Sequence, residues 1–133
     1  MTYVLDTNII TAILKGNEKV KQRVEEVIKH GEEVFINCIS YYEIKRGLLA
    51  AKAESQLERF RSFCEELGLL LLDRQQVFDE AAAIYSTLKI RGQIIGDADI
   101  LIAALAKTGD LVLVTDDGDF QRVENLTVEN WLA

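Results

Sequence analysis

The apolar positions of the chain fall into short compact blocks separated by longer stretches of helical spacing. "TYVLD" (2–6) is rich in β-branched and aromatic residues and reads as a strand that ends on an acid. "TNIITAILKG" (7–16) follows as a short helix stopped by Gly16. "NEKVKQRVEEVIKHG" (17–31) sets Val20, Val24, Val27 and Ile28 on one helical stripe, with Asn17 as its N-cap. "EVFINC" (33–38) predicts a second strand and "SYYEIKRGLLAAK" (40–52) a helix. "ESQLERFRSFCEELG" (54–68) predicts another helix, with Leu57, Phe60, Phe63, Cys64 and Leu67 on its apolar stripe. "LLLL" (69–72) reads as a short buried strand, and "QQVFDEAAAIYSTLKIRG" (75–92) as a long helix ended by Gly92. "DADILIAALAKTG" (97–109) is apolar nearly all round, so it is expected to be covered on several sides. "LVLVT" (111–115) is a strand, and "LTVENW" (126–131) an edge strand. Five strands interleaved with about six helices predict an α/β fold with a mainly parallel sheet.

The chain has 133 residues and shows no linker, repeat or low-complexity stretch, so one domain over 1–133 is expected. No apolar run reaches the roughly 18 residues of a membrane helix, and no signal-peptide pattern opens the sequence. A cytoplasmic location is the default expectation. Cys38 and Cys64 sit in apolar stretches and read as reduced core residues rather than a disulfide framework. A lone histidine, His30, ends a charged helix, where a cation complements the helix dipole. Zinc chemistry has too few nitrogen and sulfur donors here.

The net charge of −7 argues against a nucleic-acid partner if taken alone, because phosphate contacts dominate that affinity. That argument weakens where acids gather in one pocket and a cation neutralises them. Several acids stand where a parallel sheet would gather them. Asp6 ends the first strand; it can cap the next helix, or it can belong to a site at the carboxyl edge of the sheet. Asn8 could add an oxygen or orient it. Glu43 follows Ser40 at capping-box spacing, which is a purely local role. Asp97 is well placed as an N-cap, and Asp99 in the first turn, yet Asp99 heads an otherwise apolar helix where an unpaired carboxylate is costly. Asp116, Asp117 and Asp119 follow Thr115 and the strand "LVLVT". Turn chemistry, with Gly118 at positive φ, explains one or two of those acids but not three. Carboxylates about 5 Å apart repel by roughly 3 kcal/mol at an effective dielectric near 20. A divalent cation removes that repulsion, and oxygen-only ligands suit Mg²⁺ or Mn²⁺. Such a cation, held by few carboxylates, keeps positions open for phosphate and water, and phosphodiester hydrolysis is the chemistry it supports. No glycine-rich triphosphate loop is present.

"LDTNII", "SYYEIKRG", "IGDADILIAALA" and "LVLVTDDGDF" with "ENLTVENW", taken in order over about residues 3 to 132, resemble a PIN-domain protein of the VapC toxin type. The resemblance implies a three-layer α/β/α sandwich. It implies a Mg²⁺-dependent (or Mn²⁺-dependent) endoribonuclease acting on RNA, the toxin of a VapBC-type toxin–antitoxin pair. Carried over by position, it puts the metal and catalytic acids on Asp6, Glu43, Asp99 and Asp117, with Asn8, Thr115, Asp116 and Asp119 in support. Asp116 and Asp97 are acids beyond the family pattern, so the choice among Asp116, Asp117 and Asp119 for the fourth acid stays open. The resemblance also implies a homodimer and a small VapB-type antitoxin whose helix lies in a groove. Lys45, Arg46, Lys52, Arg59, Arg61 and Arg91 are candidates for contact with RNA phosphate or antitoxin, or simply a solvated helix face. The competing reading is a non-catalytic metal-binding α/β module, either a receiver-like switch or a degenerate PIN scaffold. A receiver would want a lysine after "LVLVT", and none is there.

Overall fold

Alternation along the strands decides the layering. Tyr3, Leu5, Val112 and Val114 point into one buried cluster, while Val4 and Leu113 between them point into another. In the computed structural model, which describes residues 1–133, the strands are β1 (Thr2–Leu5), β2 (Glu33–Asn37), β3 (Leu69–Leu70), β4 (Val112–Val114) and β5 (Val128–Glu129). They form one five-stranded sheet in the order β3-β2-β1-β4-β5, and every pairing is parallel. The helices are α1 (Thr7–Leu14), α2 (Glu18–Lys29), α3 (Cys38–Ala50), α4 (Glu54–Leu67), α5 (Gln75–Ile90) and α6 (Asp97–Thr108). Ile9, Ile10, Val20, Val24, Ile44, Phe60 and Leu67 bring α1 to α4 onto the first face. Val77, Ile84, Leu88, Ile100 and Ile102 bring α5 and α6 onto the second. The result is the expected α/β/α sandwich.

α6 is covered on several sides, as its composition requires: Ile100, Ile102, Ala103, Ala104, Leu105 and Ala106 are all buried. Asn17 caps α2, its side-chain oxygen accepting from Val20 N at 3.1 Å. His30 closes the same helix with a ring nitrogen 2.8 Å from the Glu26 carbonyl. Cys38 and Cys64 are unpaired, half-buried thiols. Burial pushes the Cys64 thiol up. No helix is long and apolar enough to cross a membrane.

Several local expectations are corrected. "LLLL" holds only a two-residue edge strand, Leu69–Leu70, and is not buried throughout: Leu70 and Leu72 pack against the second cluster, while Leu69 and Leu71 are exposed. Ile28 lies off the buried stripe of α2 and is exposed. Gly118 is not at positive φ. It opens a single 3₁₀ turn, Gly118–Arg122, and Phe120 in that turn is fully buried, so the segment after β4 packs down instead of turning back.

The strand order places a chain reversal beside β1. From β1 the chain moves outward through β2 to β3, then returns to lay β4 on the other side of β1. The register sets Leu5 opposite Val114, so Asp6 and Thr115 emerge side by side from the carboxyl edge. Open α/β sheets bind ligands at such a reversal, because the loops part there.

Candidate active site

Asp6 is buried, with 5% of its surface exposed. Its Oδ1 accepts from Thr7 N at 2.8 Å and its Oδ2 from Thr115 Oγ1 at 2.7 Å. It therefore caps α1 and belongs to the site at once. Thr115, also buried, is the hub: its hydroxyl donates to Asp6 and accepts from Asn8 Nδ2 at 3.3 Å and Asp117 N at 3.1 Å. Asn8 Oδ1 accepts in turn from Asp116 N at 3.1 Å. The network fixes the backbone after β4 against the start of α1.

Glu43 reaches the same edge from α3, and its Oε1 accepts from Thr7 Oγ1 at 2.9 Å. The capping-box expectation for Ser40 and Glu43 is overturned. α3 begins earlier, at Cys38, and its cap is Asn37, whose Oδ1 accepts from Ser40 N at 2.8 Å. Ser40 is a buried helical residue, and Glu43 is free for a long-range role. The expectation that Asp97 caps α6 is corrected as well: Gly96 holds that position, without a side-chain bond, and Asp97 is an exposed first-turn acid.

Asp99 projects from the first turn of α6 toward the other acids. Burial and, in decreasing order, the charges of Asp6, Asp117, Glu43 and Asp119 push its carboxyl up to about 6. Asp6 is raised for the same reasons, by burial first, against the opposing bonds from Thr115 and Thr7. Asp6, Glu43, Asp99, Asp117 and Asp119 thus share one field. Asp116 is exposed, and its Oδ1 accepts from Asn130 Nδ2 at 2.8 Å. Asp117 caps the 3₁₀ turn through Asp119 N at 2.9 Å, and Asp119 lies 3.6 Å from Arg122.

No ion pair of the fold involves Asp6, Glu43, Asp99 or Asp117. Only Asp119, at the margin of the cluster, has a cation beside it, Arg122; the other four acids have none. The donor set is carboxylate, hydroxyl and amide oxygen, which fits a hard divalent ion. No three of the acids close to a common ligand distance, so the carboxylates face one another across the edge without forming a finished cage. Among the basic candidates, Arg61 pairs with Glu58 and Arg91 with Glu124, while Lys45 and Arg46 lie over the rings of Tyr41 and Tyr42. Neither Lys52 nor Arg59 forms an ion pair.

A family model described as "PIN domain" matches residues 3–126. The chain belongs to the PIN domain family. Within it, this PIN domain is of the VapC type. It is 31% identical to Ribonuclease VapC2 of Rickettsia felis over 134 residues, and 29% identical to Ribonuclease VapC1 of Haemophilus influenzae over 133, with 98% of each chain covered in both cases. The PIN domain superposes on a chain of the R. felis VapBC2 structure, solved bound to a DNA fragment from its promoter, with a TM-score of 0.91 at 27% identity over 98% of this chain and 99% of that one. VapBC-1 of nontypeable H. influenzae gives 0.88 at 27% identity over the full length of both.

In this PIN domain the Asp116 carboxylate is exposed and engaged by Asn130, which gives a direct test. Asp116→Ala is expected to leave Mn²⁺ affinity within about twofold, whereas Asp117→Ala lowers it on the order of tenfold or more. A titration of free Mn²⁺ by electron paramagnetic resonance checks both, and equal losses would place Asp116 in the site.

Proposed function

We propose that the chain is a divalent-metal-dependent endoribonuclease, the toxin of a VapBC-type pair. One observation carries this reading: acids from the end of β1, from α3, α6 and the segment after β4 pool their charge at the chain reversal, no ion pair touches Asp6, Glu43, Asp99 or Asp117, and Asp99 is pushed up to about 6. The names of the relatives, ribonucleases VapC1 and VapC2, and the VapBC complexes among the solved structures support the substrate class and the antitoxin partner.

Asp6, Asp99, Glu43 and Asp117 would hold Mg²⁺ or Mn²⁺. Bound there, such an ion supplies Lewis-acid stabilisation of phosphoryl oxygens and a more acidic water. The chain's own contribution is orientation. Thr115 and the Thr7 amide fix both oxygens of Asp6, and the Thr7 hydroxyl holds one oxygen of Glu43. Asp119, which faces Arg122, would act on the ion through water. Lys45, Arg46, Lys52 and Arg59 are the candidates with no carboxylate partner, and Lys52 and Arg59 are in addition free of an aromatic ring, so these two are the most open to an RNA phosphate. A homodimer would cover exposed apolar side chains such as Tyr42 and Leu49 on α3 and Phe78, Tyr85 and Ile90 on α5. The place of action is the cytoplasm, where RNA and an antitoxin are met.

The test is cleavage of a mixed RNA substrate with Mg²⁺, with Mn²⁺ and with excess EDTA. Internal cuts that depend on the metal are expected, with growth arrest on expression that the co-expressed antitoxin relieves. Metal binding without any cleavage would favour a scaffold.

A further inference from the structure

The acids are not the only groups joined across the sheet edge. Asn37 and Ser40 are fully buried, at 0% exposure, in a part of the core that neither solvent nor substrate reaches. They lie in a run of short contacts that ends on Glu43. Asn37 Nδ2 is 2.9 Å from the Leu5 carbonyl and 3.0 Å from Ser40 Oγ. Ser40 Oγ is 2.8 Å from Thr7 Oγ1, and Thr7 Oγ1 is 2.9 Å from Glu43 Oε1.

Donor and acceptor chemistry gives the run a single direction. Asn37 cannot be turned over, because its Oδ1 faces the Ser40 N–H and its Nδ2 faces the Leu5 carbonyl. Its amide therefore donates to Ser40 Oγ. At the far end an ionised carboxylate only accepts, so the one hydroxyl proton of Thr7 goes to Glu43. Thr7 must then accept the proton of Ser40. Each hydrogen has one place, and no buried polar side-chain atom is left without a partner. Such a chain polarises along its length and narrows the rotamers of its last member.

The geometry points to Ser40 and Asn37 as positioning residues that act through Thr7 to aim the Glu43 carboxylate into the acid cluster. The inference rests on the proposed use of Glu43 as a metal-site acid. Neither buried residue touches substrate or metal. Outer partners of metal ligands typically carry ~10–100-fold in affinity or rate. A chain of three links to one ligand should lie near the lower end.

The experiment measures Mn²⁺ affinity of the full chain by electron paramagnetic resonance, beside kcat and KM for RNA cleavage. Thr7→Val and Ser40→Ala are expected to weaken Mn²⁺ binding about 5–20-fold and to lower kcat with KM for RNA nearly constant. Thr7→Ser, which keeps the hydroxyl, recovers the affinity that Thr7→Val loses. In a Glu43→Gln background the same two changes should add less than about twofold, because the group they aim is already gone. Equal losses in both backgrounds would show a general structural effect and overturn the inference, as would full Mn²⁺ affinity in Thr7→Val. Should Ser40→Ala not fold, Ser40→Cys takes its place, with the same loss of Mn²⁺ affinity expected and full affinity overturning the role of Ser40. If Glu43→Gln itself changes neither Mn²⁺ binding nor cleavage, the use of Glu43 in the metal site falls, and this inference with it. If Glu43→Gln is impaired while Thr7→Val is not, only the positioning chain falls.

Discussion

Asp6→Asn and Asp99→Asn are each expected to lower kcat for RNA cleavage on the order of 10³-fold, about 4 kcal/mol of transition-state stabilisation. The substitutions are isosteric and remove a charge, so they probe the field at the sheet edge rather than its shape. For Asp99, the carboxylate that feels four other acids becomes neutral, and the site loses part of its hold on a divalent ion. For Asp6 a second effect adds to the first. Oδ2 accepts the only proton of Thr115, whose oxygen already receives Asn8 and Asp117 N. An amide NH₂ in that place meets a donor, and turned over it meets the Thr7 N–H instead. Asp6→Asn should therefore also loosen the contact between the segment after β4 and α1. Raising Mg²⁺ should recover part of the Asp99→Asn rate and little of the Asp6→Asn rate. Steady-state cleavage over a Mg²⁺ series measures this, and either variant keeping more than about a tenth of the wild-type rate would remove the metal-site reading of that acid.

Much of this arrangement is legible in the sequence for a physical reason. An acid that ends a strand, such as Asp6, and an acid that heads an apolar helix, such as Asp99, are both local anomalies. One stands at a known edge, and the other carries a desolvation cost that asks for a partner. The layering is legible too, because two-residue alternation and helical stripes are written locally. What was misread depends on which element supplies a contact. Ser40 and Glu43 match a capping box, but β2 ends one residue earlier than the apolar run suggests, and Asn37 takes the cap. Glu43 is then released to Thr7, a partner 36 positions away that no local pattern displays. The different surroundings of Asp116, Asp117 and Asp119 are equally hidden in the sequence. They follow from Asn130, which binds Asp116, and from Phe120, which is buried in the turn that comes next. Leu69 and Leu71 look like core in sequence and lie exposed, because only the alternate positions, Leu70 and Leu72, face the buried cluster at this edge of the sheet.

The second large effect has the opposite sign from the first: Asp99→Asn should make the metal-free protein more stable. The Asp99 carboxyl is raised from 3.8 to about 6, so the folded state holds its proton more tightly than the unfolded chain does. Stability contributed by this group is then present at acid pH, declines as pH rises from about 4 to about 6, and is absent above that range. Asp6, raised in the same direction, adds to the decline. A shift of that size would convert to about 3 kcal/mol if fully buried. Asp99 is partly exposed, and screening brings the expected cost nearer to 1–2 kcal/mol. In EDTA at pH 8, Asp99→Asn should melt roughly 3–6 °C above wild type, and the gap should close toward pH 4. Saturating Mg²⁺ should reverse the order, because binding to the folded state stabilises wild type in proportion to RT ln(1 + [L]/Kd) and the variant far less. The paired melts separate two accounts of the same acid. A structural Asp99, held by a protein partner, would lose stability on replacement at every pH and would be indifferent to Mg²⁺. An Asp99 kept at the sheet edge against its own electrostatic cost, for the sake of a cation, gives the crossover.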